Sequence, residues 1–215
     1  MALPARYIDE PLLDKDWYTE DEYFALEDRS SLRWEFMSDS PSDTPGPRLG
    51  RIRAMSGGTP KHSAIAMRLG RRLGNALEDA GNQMCEVYGS DLKVHTADDH
   101  NFYPDVSVLC GAPSFYQPRR DTVTNPVFVA EVLSPSTEAD DRREKRLSYQ
   151  TIPTLQHYLL LTTNGTRAEL YTREGQDWRL ETYEERNAQI PLPALGITLA
   201  LADLYALIDF EVETG

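Results

Sequence analysis

Cysteine is scarce in this chain, with only Cys85 and Cys110 among 215 residues. Their separation matches no metal-ligand spacing, and two residues make no disulfide framework. A zinc-binding scaffold and a small disulfide-stapled fold are therefore set aside, and a reduced, cytoplasmic protein is the simplest expectation. Long apolar runs are also missing: no stretch reaches the roughly 18 residues that a membrane-spanning helix needs. The opening residues, MALPARYIDEPLLDKDW, lack the basic and then apolar build of a signal peptide. Cations are the third shortage. The 22 Lys and Arg residues face 35 Asp and Glu, a formal net charge of −13. Bulk electrostatics do not draw such a chain to a polyanion, so a nucleic-acid partner requires a local basic patch or a bound metal.

What is present suffices for a core. Hydrophobic residues make up 40% of the chain, enough for one substantial domain. No repeat or linker divides it, so residues 1–16 read as an N-terminal extension and 17–215 as one domain. WYTEDEYFALED predicts a short helix with Thr19 as N-cap and Glu22 at capping-box spacing. LRWEF and RIRAM read as strands on either side of a loop over 37–50. The clearest helix follows: Thr59 caps it, Pro60 fits its first turn, Ile65, Leu69, Leu73 and Leu77 recur every fourth residue, and Gly81 ends it. MCEVYGSDLKV and NFYPDVSVLC alternate as strands do. PVFVAEVL predicts a buried strand, and STEADDRREKRLSYQ a helix begun by Thr137 and Asp140. LQHYLLLT and RAELYTRE flank Asn164-Gly165, a hairpin signal, and DWRLETYE follows the Glu174-Gly175 turn. ALADLYALIDF closes the chain as a short helix. Helices on both sides of a mixed sheet make an α/β or α+β fold.

Glu131 poses the chemical question, because a carboxylate late in a buried strand needs a compensating charge. Asp105 opens a strand just after Pro104, 26 residues earlier. Lys145 stands 14 residues after Glu131 on the following helix, with Asp141 and Tyr149 four residues away on either side. Two carboxylates at neighbouring strand positions repel unless a proton or cation lies between them. Mg²⁺ takes oxygen ligands and often only one or two protein carboxylates, and Mn²⁺ can stand in for it. A nearby lysine could then orient water or stabilise phosphorane charge. The convergence points to phosphodiester hydrolysis; the bland alternative is a solvated face with an Asp141–Lys145 ion pair.

YPDVSVLC, PVFVAEVLSPST, the Asp141-x-x-x-Lys145-x-x-x-Tyr149 spacing and QHYLLL together resemble the Uma-type endonucleases of bacteria, within the PD-(D/E)XK restriction-endonuclease-like superfamily. The resemblance runs from about Trp17 to the C-terminal helix. It implies a central mixed sheet flanked by helices, and it carries Asp105 and Glu131 over as metal ligands. The superfamily pattern has a lysine two residues after the second acid. Here that position is Leu133, and Lys145 matches the helix lysine that Uma-type proteins use instead. The resemblance also adds two residues: Glu35, in WEF, as a further acid, and His62, in TPKH, as a site residue. Asp91 matches a supporting position. A departure is the longer loop before RLGRIRAM, where the family has an Asp-Gly-Glu turn.

These expectations combine into a Mg²⁺-dependent endonuclease acting on DNA, with a homodimer suggested by the apolar C-terminal segment and the late strands. Two alternatives stay open. One is a non-catalytic nuclease-fold module that binds nucleic acid or protein, with Glu131 and Lys145 as a structural ion pair. The other keeps the chemistry and acts on RNA or single-stranded DNA.

Overall fold

The computed structural model describes residues 15–39, 46–55, 57–133 and 141–210, apart from the side chains of Asp141 and Arg142. Residues 1–14 of the expected extension, 40–45 of the expected loop and the Thr137–Asp140 cap lie outside the described residues.

Strand β1 (Tyr18–Thr19) leads into helix α1 (Glu20–Glu27), whose start is the expected capping box: Thr19 accepts from the Glu22 N–H, and Glu22 accepts from the Thr19 N–H. β2 (Trp34–Ser38) and β3 (Leu49–Ala54) pair antiparallel. Helix α2 (Pro60–Asp79) buries Ile65, Leu69, Leu73 and Leu77, the stripe read from the sequence. It ends at Gly81 (φ +69), a left-handed position. There the Asn82 N–H donates to the Leu77 carbonyl and the Gly81 N–H to that of Glu78, which satisfies the last carbonyls.

After α2 come β4 (Cys85–Gly89), β5 (Lys93–His95), β6 (Asn101–Phe102), β7 (Val106–Cys110), β8 (Thr122–Val123) and β9 (Phe128–Leu133). A π-helical turn (Asp141–Lys145) leads into α3 (Arg146–Gln150). Then follow β10 (His157–Thr162), β11 (Ala168–Glu174), β12 (Asp177–Tyr183), β13 (Gln189–Leu192), β14 (Ile197–Ala200) and α4 (Leu201–Leu204).

The central sheet has the order β12-β11-β10-β9-β7-β4. It is mixed: β9 and β10 are parallel, the other pairs antiparallel. Parallel neighbours need a long crossover, and the crossover here carries the π-helical turn and α3. That crossover is why a residue of the turn can lie against β9.

Both faces of this sheet are covered, so β9 is buried along its whole length. Phe128, Ala130 and Val132 join a core with the α2 stripe, β14 and α4. Val129 and Leu133 join a second core with Tyr149, Val94, Phe102 and Met37. The second core is backed by a sheet that the sequence did not reveal as separate, β1-β3-β2-β6-β5-β8. The strand-like stretches MCEVYGSDLKV and NFYPDVSVLC each divide between the two sheets. A third core, Tyr23, Leu26, Trp34 and Phe36, fixes α1 to β2.

The cysteines correct one expectation. Cys85 and Cys110 face each other across the β4–β7 ladder and form a disulfide. Antiparallel pairing brings together two positions 25 residues apart, which sequence spacing alone does not show.

Candidate active site

Glu35 on β2 and Glu131 on β9 belong to different sheets, and both are almost wholly buried, 2% and 4% exposed. Lys145, at the end of the π-helical turn, is 5% exposed and lies between them. Its Nζ is 2.8 Å from Glu35 Oε1 and 3.2 Å from Glu131 Oε1. The Tyr149 hydroxyl, one turn further on, donates to the same Glu131 oxygen at 3.1 Å. Burial pushes the Tyr149 phenol well above its ordinary range, and the Glu131 and Glu35 charges add to the shift, so it remains a donor. Behind Glu35 stands Arg53, its cross-strand partner on β3, whose guanidinium donates to Oε2 at 2.7 Å. Burial by itself would raise the Glu35 carboxyl. Lys145 and Arg53 outweigh it and hold the group below the usual carboxylate value. Two carboxylates and two cations thus balance across the seam between the sheets.

Asp105 stands just before β7. The register that sets Val106 opposite Ala130 places Asp105, one residue outside the ladder, opposite Glu131. Its Oδ2 accepts from the Val132 backbone N–H at 2.7 Å, which ties it to the residue after Glu131. The same oxygen is 3.1 Å from His62 Nε2, on the first turn of α2. Thr59 caps that turn by accepting from the His62 N–H. The His62 ring also packs against Gly58: a Cβ at Gly58 would come within 2.6 Å of His62 Nδ1.

All five residues singled out in the sequence are therefore gathered, in two linked groups. Glu35, Lys145 and Glu131 are in direct contact, and Asp105 and His62 form a pair joined to β9 through Val132. Asp91 does not join them; it lies in the turn between β4 and β5 and pairs with Arg33 at the surface. Arg53 was not foreseen as part of the site. The signal for it was the pairing of LRWEF with RIRAM, which sets Glu opposite Arg once the register is known. Tyr149 was visible only as helical spacing, and the Val132 N–H carries no sequence signal at all.

A cavity of about 590 Å³ adjoins the second group, with His62 and Asp105 in its wall. Among the described residues no three His, Cys, Asp or Glu side chains converge as a ready-made metal cage. The oxygen donors of Asp105 and Glu131 fit a hard ion that keeps most of its water, the coordination habit of Mg²⁺.

The chain is similar to several known proteins. A family model described as "Uma2: Putative restriction endonuclease" matches residues 21–202. Two uncharacterized proteins of Synechocystis sp. are similar over most of their length. The first, slr1290, is 34% identical over 194 residues, covering 88% of this chain and 92% of the relative. The second, sll1609, is 33% identical over 171 residues, covering 79% and 89%. Among solved structures, one described as "a putative nuclease belonging to DUF820" from Anabaena variabilis superposes with a TM-score of 0.61 at 18% identity, over 74% of this chain and 88% of that one. That likeness establishes a shared fold.

Proposed function

The chain belongs to the Uma2 family and has its restriction-endonuclease-like fold, and from that membership we propose that it is a Mg²⁺-dependent endonuclease hydrolysing phosphodiester bonds, with DNA as substrate. One observation carries the chemistry: Glu131, Lys145 and Glu35 meet in a buried cluster one strand away from Asp105, which itself lines a cavity. Asp105 and Glu131 are the residues that would hold the metal. When bound, such an ion supplies Lewis-acid polarisation of a phosphoryl oxygen and a water of lowered pKa.

The chain's own residues account for the rest. Lys145 keeps Glu131 oriented and brings a fixed positive charge to a region where phosphorane charge would develop. Tyr149 restrains the same carboxylate oxygen from below. Arg53 and Glu35 keep Lys145 from swinging away. His62 reaches the cavity wall, and the contact of its Nε2 with Asp105 positions both side chains beside the proposed metal site.

Calorimetric titration of Mg²⁺ and Mn²⁺ into the protein tests this directly, with Asp105→Ala and Glu131→Ala alongside. Specific binding by the wild type, lost in both folded variants together with metal-dependent cleavage of DNA, is the expected outcome. A second reading has its own support: protein donors already engage both carboxylates, and the net charge is −13. In that reading the domain is a non-catalytic binding module, and Glu131 with Lys145 is a structural pair replaceable by apolar residues of similar size. Absence of metal binding by the wild type, even with an oligonucleotide present, would select it.

A further inference from the structure

The cavity beside His62 and Asp105 lies between the exposed side of α2 and β4, an edge strand of the central sheet. Ala66, Met67 and Val87 give it apolar walls, and Arg71 lines it together with Asp105 and with Arg33, which is already paired with Asp91. At about 590 Å³ the space is of the size that takes a compact ligand.

We infer that this cavity receives the base of an unpaired DNA nucleotide next to the scissile phosphate, so that the substrate is single-stranded or locally unpaired DNA. The inference rests on the nuclease reading above and narrows its substrate. Three features support it. The cavity is continuous with the Asp105–His62 pair, so whatever fills it lies beside the proposed reacting centre. Apolar walls with arginine in the lining match a nucleotide, which has a flat, weakly solvated base and an anionic backbone. A base stacked and paired in a duplex shows only its edges and cannot enter a slot between a helix and a strand; it must first leave the stack. A chain this acidic also has little bulk attraction for a duplex backbone, so a pocket that gains from base burial offsets that deficit.

Gly70 allows a clean test. It lines the cavity, and a Cβ there would meet nothing within 4 Å, so Gly70→Leu adds bulk from the α2 side while leaving Asp105, His62, Glu131 and Lys145 themselves unchanged. Gly70→Ala serves as control for the helix, since alanine favours helix over glycine. Circular dichroism and thermal melts confirm that both variants fold. Fluorescence anisotropy in EDTA then compares a labelled single-stranded DNA oligonucleotide with the same strand in a duplex. Cleavage of both, and of a duplex with one bulged nucleotide, is followed with Mg²⁺ or Mn²⁺.

The wild type is expected to prefer the single strand, and Gly70→Leu to bind it roughly tenfold more weakly, the loss expected when one base is denied its contact surface. Gly70→Ala, which adds a single methyl to that wall, should lose much less than Gly70→Leu. Equal binding of duplex and single strand, no binding of either, or unchanged binding by Gly70→Leu overturns the inference. If cleavage persists in that case, the nuclease reading survives it. Preserved pocket-dependent binding without metal-dependent cleavage has the reverse meaning: the nucleotide site stands and the hydrolytic reading falls.

Discussion

At the scale of single residues, Lys145 holds the site together because one ammonium serves two buried carboxylates. Replacing it with Met leaves Glu35 and Glu131 without that cation in a region of low water access. A loss of about 3–5 kcal/mol in urea unfolding is expected at neutral pH. The acid side of the stability curve carries the same information. Glu35 has a folded pKa below its unfolded value of about 4.3, so its contribution is complete above that value and disappears as pH falls through the lower, folded one. Without Lys145 that acid-side loss should begin at higher pH, which a pH series of melting temperatures would show. Gly58 gives a contrasting case. Gly58→Ala should displace the His62 ring, the atom it would meet first, and lower cleavage more than it lowers thermal stability. Unchanged cleavage would show that the ring position does not matter to the reaction.

At the scale of elements, α2 has two tasks, since its buried stripe builds the main core and its first turn presents His62. Thr59→Ala removes the cap at that turn and should cost about 1 kcal/mol. Because the lost bond is to the His62 N–H itself, cleavage should fall further than stability, and differential scanning calorimetry beside the cleavage assay separates the two effects. Elements with strong local signals were legible in the sequence: the α1 capping box, α2 from Thr59 to Gly81, and the hairpin of β10 and β11. The second sheet was not, because β5, β6 and β8 have only two or three residues each, too few to show a period. The five candidate residues were picked out by their places on strands and helices and by family resemblance. The partner Arg53 and the Cys85–Cys110 bond were not, since each depends on strand register.

At the scale of the molecule, His157 links the layers. Wholly buried on β10, its Nε2 accepts from the Ala194 N–H beyond β13, so its proton lies on Nδ1, facing the Thr172 hydroxyl of β11. Burial pushes its pKa down to about 4, from an ordinary 6.5. A His with a depressed folded pKa contributes stability that is complete above the unfolded value and is lost as pH falls towards the folded one. The wild type should therefore weaken between about pH 6.5 and 4, by at most about 3 kcal/mol from this group. In His157→Gln that slope should flatten, as measured by chemical unfolding at a series of pH values.

The position that carries the lysine in the wider superfamily pattern is occupied here by Leu133, a buried member of the core, while the cation comes from the crossover. This has an evolutionary consequence. In the proposed nuclease, chemistry and sheet packing are assigned to different segments of the chain, so mutation of the crossover leaves the hydrophobic strand untouched. Yet the cation cannot drift away alone, since its loss takes the one lysine shared by two buried carboxylates and leaves Glu35 with Arg53 only. A descendant that lost one of these charges would be driven to lose its partners as well, and the genetic trace of that change would be a correlated set of substitutions at 35, 131 and 145.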